Sequence, residues 1–174
     1  MGPSVDAGQH QTVRDYIAVA HADGARLVAG GGDVVPQGNE SLEHGFFTSP
    51  TVFADCNMNM RIAQEEVFGP ILAIIPVDGF DAALAAANQV SFGLSSSIYT
   101  RDLVLAQRFA ELIDVGIVHV NNPTVGGEAQ FPFGGMKETG IGQREMGTTA
   151  VEFFTEIKTV YVDYTGQARR TNIY

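Results

Sequence analysis

Short apolar runs alternate with helical patterns along this chain, and this alternation is the feature that most constrains its fold. Strand-like segments occur at 71–77 (ILAIIPV), 95–100 (SSSIYT) and 116–121 (GIVHVN), and helical patterns lie between them at 80–90 and 101–113. Continuous aliphatic runs are typical of strands covered on both faces, and strands that alternate with helices form βαβ units. The sequence therefore predicts an α/β fold, with a mostly parallel sheet and helices on both of its faces.

A helix is also predicted near the N-terminus, at 8–22 (GQHQTVRDYIAVAHA). Its apolar residues recur at helical spacing, and Gly24 follows at a position typical of a C-cap. In the helix at 101–113 we expect one apolar face, with Thr100 or Asp102 as the N-cap. The residues predicted to form these two faces are Val13, Ile17 and Ala20 in the first helix, and Leu103, Ala106, Ala110 and Ile113 in the second.

The remaining segments divide into strand candidates and loops. The stretches ARLVAG (25–30) and FFTSPTVFAD (46–55) favour extended structure, and a polar, glycine-rich surface loop is expected between them, at 30–45. Residues 122–149 show no clear periodicity, and a loop of this length inside a domain is usually functional. The tail VEFFTEIKTVYVDY (151–164) is β-rich and is predicted to form a strand at a sheet edge.

The composition argues against several classes of partner. Net charge is −10 over 174 residues, and such an acidic surface repels the phosphates of nucleic acids and the head groups of anionic lipids. No apolar run approaches the ~20 residues that span a bilayer, and no signal-peptide pattern is recognised. The single cysteine, Cys56, cannot form an internal disulfide, which favours a reducing compartment. We therefore expect a cytoplasmic protein that binds neither nucleic acid nor membrane.

Few residues form patterns that carry chemistry on their own. The four histidines are scattered without the spacing of metal ligands, so no metal site is expected. The glycine-rich stretch 131–147 (FPFGGMKETGIGQREMG) contains neither the dinucleotide-binding nor the P-loop pattern. In 63–71 (AQEEVFGPI), Glu65 and Glu66 are either a solvated pair ahead of a turn, or one of them accepts hydrogen bonds from a vicinal diol, as acidic residues do at a ribose.

Three segments together resemble the aldehyde dehydrogenase superfamily. They are MRIAQEEVFGPILAIIPVD, VSFGLSSSIYTRDLVLA and FPFGGMKETGIGQREMG, in this order, and the closing FFTEIKTVYVDY is similar to the C-terminal segment of that family. The resemblance extends from near Tyr16 to Tyr164, and its EEVFGP and PFGG motifs are highly specific. It implies NAD(P)-dependent oxidation of a small-molecule aldehyde to a carboxylic acid. In that family a cysteine thiolate attacks the aldehyde, hydride passes to NAD(P)+, and water hydrolyses the resulting thioester.

The resemblance also implies roles for individual residues. Glu66 matches the glutamate that binds the hydroxyls of the nicotinamide-side ribose, and Phe68 matches the aromatic residue beside that ribose and the nicotinamide. Phe133, in PFGG, matches an aromatic residue of the substrate tunnel, and 122–131 matches the variable substrate-facing loop. A structural role is expected for three charged residues of the same stretch, Lys137, Arg144 and Glu145.

Cys56 is predicted to be structural, so no catalytic residue is assigned. The resemblance implies that the family nucleophile lies upstream of the first helix of this chain, and the carboxylate of Asp55 would raise a thiol pKa rather than lower it. The general-base glutamate, the oxyanion asparagine and the Rossmann domain of the family also have no counterpart in this sequence. The chain is therefore expected to correspond to the later part of a catalytic domain (1–150) and a C-terminal strand or oligomerisation arm (151–174), inactive alone.

Three hypotheses stay open at the level of sequence. In the first, the chain is part of an NAD- or NADP-dependent enzyme that forms a homo-oligomer. In the second, it is a non-catalytic interaction module that pairs through its C-terminal strand. In the third, it is a minimal enzyme that uses Cys56. The aldehyde is not identified, although the absence of a basic residue from NNPTVGGEAQ (121–130) disfavours an acidic semialdehyde. Part of a larger enzyme would expose apolar surface, so self-association is expected.

Overall fold

The structure, a computed structural model, describes residues 2–38 and 42–167. Within these ranges the helices are α1 (Ala7–Ala22), α2 (Arg61–Gln64), α3 (Gly79–Gln89), α4 (Leu103–Leu112) and α5 (Thr149–Phe154). The strands are β1 (Arg26–Ala29), β2 (Thr51–Ala54), β3 (Ile71–Ala73), β4 (Phe92–Gly93), β5 (Ser95–Ile98), β6 (Ile117–Val120) and β7 (Met136–Lys137). Residues 39–41, which belong to the predicted loop at 30–45, lie outside the described residues.

The strands form three small sheets, and the predicted α/β class is confirmed. Strand β2 pairs in parallel with β3, and β5 pairs in parallel with β6. Each of these pairs is connected through a helix, α2 in the first and α4 in the second, as parallel neighbours require. Two further pairings, β1 with β2 and β4 with β7, are antiparallel. Only the three-stranded sheet is therefore mixed; of the two-stranded sheets, β5-β6 is parallel and β4-β7 is antiparallel.

Helix α1 follows the predicted pattern closely. Asp6 caps its first turn, since an oxygen of its side chain accepts a hydrogen bond of 2.8 Å from the backbone N–H of Gln9. Gly24, at φ +89°, follows the helix in the left-handed conformation that the sequence predicted for a C-cap. The helix has 16 residues, and no helix in the described ranges is both long and apolar enough to cross a membrane.

Two clusters of buried side chains form the core. The first lies between α1 and the three-stranded sheet, with the fully buried ring of Phe53 among the buried residues of α1. The second contains Phe109 and Ile113, packed against residues of α3, β5 and β6. The buried residues of α1 are Val13, Ile17 and Ala20, the three that its periodicity predicted.

The apolar face predicted for α4 was partly wrong. Leu103 is 81% exposed and Ala110 is also exposed, whereas Phe109 is buried and Ala106 is half-buried. The largest apolar side chain in the middle of the helix determines which face packs inward, because it removes the most area from water. Of the two proposed caps, the structure selects Asp102, whose Oδ1 accepts hydrogen bonds from the N–H groups of residues 104 and 105 at 2.8 and 3.2 Å.

Strand β3 is shorter and more exposed than its sequence predicted. The apolar run 71–77 suggested burial on both faces, but the strand ends at Ala73, and Leu72 is 57% exposed. The order β1-β2-β3 puts β3 at the edge of its sheet. An edge strand has a neighbour on only one side, so a continuous apolar run does not by itself ensure burial.

The predicted strand at 151–164 is not formed within the described residues. Helix α5 covers the first part of it, and 155–164 makes no strand pairing with the described part of the chain. Ile157 is 95% exposed, in keeping with a segment that packs on nothing described here. A β-rich composition becomes a strand only where a neighbouring strand supplies hydrogen bonds. Residues 168–174 of the predicted arm lie outside the described residues.

Candidate functional site

The segment 65–70 (EEVFGP) leaves α2 in an extended conformation and shows two different sides. Glu65, directly after the helix, has φ −108° and ψ 145°. Glu65 is exposed but accepts a hydrogen bond from Tyr16 of α1, and Val67 packs against the core cluster that contains Val13. Glu66 and Phe68 are exposed, Phe68 to 80%. Along this segment, two side chains presented to solvent thus alternate with two that contact the rest of the protein.

Glu65 is held by two side chains from different helices. Arg61 donates hydrogen bonds to both carboxylate oxygens, the shortest at 2.7 Å, and the Tyr16 hydroxyl donates one at 2.5 Å. The Arg61 guanidinium also lies over the Tyr16 ring, 5.4 Å from its centroid. Arg61 is the largest cause that lowers the pKa of Glu65 to about 2, followed by Tyr16, whose own pKa is raised by the same bond to Glu65. Of the two glutamates, Glu65 is therefore the anchored one.

The turn that follows is held by α1. The side-chain amide of Gln9 donates to the carbonyl oxygens of Val67 and Phe68, at 3.0 and 3.1 Å. Phe68 has φ +53°, in the left-handed region that bulky residues rarely adopt. Gly69 lies so close to Val13 that a Cβ at this position would be 2.4 Å from Val13 Cγ2. Sequence patterns gave no signal for these contacts.

Glu66 carries the carboxylate that is open for a ligand. Among residues 2–38 and 42–167 it has no hydrogen-bond or ion-pair partner, although its neighbour Glu65 has two. An ionised carboxylate accepts hydrogen bonds at both oxygens, and an exposed aromatic ring offers an apolar face to a planar group. The Glu66 carboxylate can accept hydrogen bonds of the kind that a ribose diol donates. The Phe68 ring offers an apolar face of the kind that packs beside an aromatic heterocycle.

Phe133 lies in a different part of the structure. It borders a cavity of about 360 Å³ between β6 and the loop 122–131, with Ile117, Val125 and Phe131 also in the lining. The predicted substrate-facing loop thus lines a cavity together with Phe133. His119 lines the same cavity, and its Nε2 is buried without a hydrogen-bond partner among the described residues.

The loop around Phe133 is fixed by backbone and side-chain hydrogen bonds. The N–H of Phe133 donates to the carbonyl of Glu145 at 2.6 Å, and the N–H of Glu145 returns a bond at 2.8 Å. Arg144 Nη1 donates to the carbonyl of Gly135, and Lys137 Nζ donates to two carbonyls at the end of α3, at 2.8 and 3.0 Å. These contacts support the structural role predicted for Lys137 and Arg144, whereas Glu145 takes part through its backbone.

The structure brings Glu66 and Phe68 together but leaves Phe133 apart from them. No hydrogen bond, ion pair or ring contact among the described residues joins Phe133 to either one. Phe68 instead borders a separate cavity of about 260 Å³, which it shares with Pro70 and residues 2–4 of the N-terminus. The candidate site therefore has two parts, one around the 65–70 segment and one around Phe133.

Cys56 belongs to the core. It is 2% exposed, and its Sγ lies 3.8 Å from the carbonyl oxygen of Ala54. Burial is the main cause that raises the pKa of the Cys56 thiol, and the nearby charge of Asp55 adds to it. The carboxylate of Asp55 is itself paired with Arg26, which donates to it at 2.7 Å. These properties support the structural role predicted for this cysteine.

Metal ligation has no support in the described residues. No group of three or more His, Cys, Asp or Glu side chains there is arranged to hold a metal ion. The electrostatic features of the candidate site are instead its carboxylates and the cations paired with them.

The family of the chain follows from comparison with known proteins. The family model described as "Aldehyde dehydrogenase family" matches residues 1–160. The chain therefore belongs to the aldehyde dehydrogenase family, a family of NAD(P)-dependent oxidoreductases.

The individual relatives agree with this assignment. An alpha-ketoglutarate semialdehyde dehydrogenase of Haloferax volcanii is 49% identical over 165 residues, which cover 94% of this chain and 34% of the relative. An alpha-ketoglutaric semialdehyde dehydrogenase of Bacillus subtilis is 41% identical over 93% of this chain and 33% of its own length. The crystal structure of a Mycobacterium tuberculosis aldehyde dehydrogenase complexed with NAD+ superposes with a TM-score of 0.83, at 42% identity, over 97% of this chain and 33% of that one. The chain thus spans about a third of the length of these relatives.

Proposed function

We propose that this chain supplies the C-terminal part of an NAD(P)-dependent aldehyde dehydrogenase. In this proposal residues 1–150 form the later portion of the catalytic domain, and 151–174 form an arm that joins subunits of a homo-oligomer. Glu66 and Phe68 contact the cofactor, and Phe133 lines the aldehyde pocket. The observation that carries the proposal is the carboxylate of Glu66, which has no partner among the described residues, near the exposed ring of Phe68 on a segment otherwise tied to α1.

The cofactor fits the chemistry of the residues that would hold it. When bound, NAD(P)+ supplies the hydride acceptor for oxidation of the aldehyde. The Glu66 carboxylate would accept hydrogen bonds from the ribose hydroxyls, and the Phe68 ring would pack beside the sugar and the nicotinamide. The M. tuberculosis relative, complexed with NAD+, supports this assignment through its similarity over nearly the whole of this chain.

The pocket at Phe133 suits a small aldehyde with an apolar portion. Val125, Phe131 and Phe133 offer apolar surface, and the volume of about 360 Å³ is within the size range of small-molecule pockets. Two relatives are named as dehydrogenases of the α-ketoglutarate semialdehyde, so an acidic semialdehyde belongs among the candidate substrates. If that substrate is used, a cation that pairs with its carboxylate must come from outside 121–130, since this loop has no basic residue and offers only neutral donors.

Catalysis requires groups that we do not assign to this chain. The only cysteine is buried in the core with a raised pKa, which leaves it unsuited to attack an aldehyde. We therefore expect turnover only when the chain is joined to the parts that its relatives have and that it does not match. The chain alone is expected to produce no NAD(P)H.

A chimera tests the proposal directly. The chain replaces the segment with which it aligns in the M. tuberculosis aldehyde dehydrogenase, and NAD(P)H production is measured for a panel of aliphatic, aromatic and semialdehyde substrates. We expect turnover by the chimera and none by the isolated chain. Glu66→Gln should raise the KM of the chimera for the cofactor, whereas Glu111→Gln, which changes an exposed glutamate on α4, should not.

Several outcomes would contradict the proposal. One is a folded chimera, verified by circular dichroism, that has no activity while the parent enzyme is active. Another is turnover by the isolated chain that disappears in Cys56→Ala, since this would make the chain a minimal enzyme with its own nucleophile.

A second candidate function is interaction with another chain through 155–164. This segment follows α5 without a strand partner among the described residues, and Ile157 and Tyr161 are almost fully exposed. An unpaired segment of this composition can add to the sheet edge of another subunit. Light scattering on the full chain and on a version that ends at residue 154 tests whether this segment is needed for association. Equal masses at every concentration would remove this candidate.

A further inference from the structure

We infer that Gln9 and Tyr16 are positioning residues for the cofactor contact proposed at Glu66 and Phe68. Both lie on one face of α1 and hold the 65–70 segment in the conformation that exposes those two side chains. The inference rests on the proposed function, because it concerns the same site.

The Gln9 side chain holds the turn by hydrogen bonds to the backbone carbonyl groups of the turn. Its Nε2 group donates to two successive carbonyl oxygens, of Val67 and Phe68, so both hydrogens of one amide are used on one peptide unit and the next. Phe68 has φ +53°, and a residue of its size adopts this region only where surrounding contacts enforce it. The two bonds from Gln9 are the contacts that act directly at this point.

Tyr16 and Val13 fix the flanks of the same segment. The Tyr16 hydroxyl donates to Glu65, the residue before Glu66, and Val13 packs against Gly69, the residue after Phe68. Positions 9, 13 and 16 are separated by four and three residues, so they lie on one face of a helix. One face of α1 therefore contacts the 65–70 segment on both sides of the exposed pair, Glu66 and Phe68, and also at the backbone between them.

This arrangement separates the cofactor contact from the aldehyde pocket. Loss of the Gln9 donor frees two carbonyls and lets Phe68 return to ordinary backbone conformations, so Glu66 and Phe68 lose their fixed relative placement. The loop around Phe133 is held by other bonds, between Phe133 and Glu145. Substitution of Gln9 should therefore raise KM for the cofactor and leave KM for the aldehyde nearly unchanged.

The test uses the chimera and three measurements on each variant: KM for NAD+, KM for the aldehyde, and the thermal unfolding midpoint. Gln9→Met keeps the length of the side chain and removes its donors, and Tyr16→Phe removes only the hydroxyl. The control Gln11→Met removes a similar amide from the same helix, where Nε2 donates to Asp15 at 2.8 Å on the solvent side. We expect Gln9→Met to raise KM for NAD+ by about tenfold, and Tyr16→Phe by a smaller factor in the same direction. KM for the aldehyde should change by less than about twofold, and Gln11→Met should change neither.

Two results would overturn the inference. One is a Gln9→Met chimera with the wild-type KM for NAD+, and the other is a parallel rise in both KM values that simply follows a loss of stability. Glu66→Gln separates this inference from the proposed function: if that variant leaves KM for NAD+ unchanged, the proposed cofactor contact itself is wrong.

Should the chimera not fold, the 174-residue chain still tests the geometry. In its ¹H–¹⁵N NMR spectrum, Gln9→Met should shift the amide resonances of Phe68 and Gly69, and Gln11→Met should leave them in place. Unchanged resonances in Gln9→Met would contradict the positioning role.

Discussion

Gly116 lies so close to Gly134 that a Cβ on Gly116 would be only 1.8 Å from the Gly134 carbonyl oxygen. The two glycines join the start of β6 to the PFGG loop, directly beside Phe133. Backbone atoms from segments far apart in sequence can approach this closely only where neither side chain intervenes. The placement of Phe133 next to its cavity therefore depends on this contact.

Gly116→Ala should destabilise the chain. The added methyl group cannot fit against backbone atoms, so β6 and the loop must move apart, at a cost of about 1–3 kcal/mol in the free energy of unfolding. Urea unfolding followed by circular dichroism measures this change. Gly32→Ala is the matched control, because nothing lies within 4 Å of a Cβ at that position and its φ is not in the left-handed region. Equal stability of the two variants would show that the loop does not pack as described.

Protonation of the Glu65 carboxylate should lower the stability of the folded chain at acidic pH. Hydrogen bonds from Arg61 and Tyr16 lower the pKa of Glu65 from 4.5 to about 2 in the folded chain. A lowered folded-state pKa stabilises the fold above the unfolded value, and this contribution is lost as the pH falls from about 4.5 towards 2. In thermal unfolding across this range, Glu65→Gln should lose less stability than the wild type. If the unfolding midpoints of the two proteins fall equally with pH, the ionised Glu65 carboxylate does not stabilise the fold as described.

The Cys56 thiol should react slowly with Ellman's reagent in the folded chain and rapidly once the chain is unfolded. Burial excludes the reagent, and the raised pKa lowers the fraction of reactive thiolate. As a control, Ala18→Cys in a Cys56→Ala background places one thiol on the exposed side of α1. Its labelling should be at least roughly tenfold faster than that of Cys56. Comparable rates would mean that Cys56 is accessible and available for chemistry.

The N-cap of α4 should contribute measurably to stability. Asp102→Ala removes the acceptor for two N–H groups of the first turn and is expected to cost about 1 kcal/mol in the free energy of unfolding. Asp102→Asn keeps a side-chain oxygen at the same place, so it should retain most of the wild-type stability. Urea unfolding of both variants provides the comparison. Indistinguishable midpoints for Asp102→Ala and the wild type would exclude a capping role.

Local patterns predicted much of the fold. The helix at 8–22 and its buried face were confirmed because apolar residues at helical spacing define one side of a helix without reference to the rest of the chain. The prediction was poorer where burial depended on a neighbour. Leu103 and Ala110 have apolar side chains at suitable spacing, yet they are exposed because the ring of Phe109 orients α4.

The candidate site also combines residues that the sequence predicted with contacts that it could not predict. Its residues, Glu66, Phe68 and Phe133, were predicted through the resemblance of two motifs to a known family, and their roles stay predictions. The anchoring contacts from Gln9 and Tyr16 to the 65–70 segment could not be predicted, since 49 or more residues separate the partners.

By itself, the sequence determined the alternation of helices and strands, the acidic charge and the motifs that identify the family. These properties depend on residues that are near one another in the chain. Only the tertiary structure decided that Glu65 is anchored while Glu66 is open, and that the segment at 155–164 has no strand partner among the described residues. The physical reason is that hydrogen bonds and packing between distant segments depend on how the whole chain folds, whereas periodicity records only which side of one element is apolar.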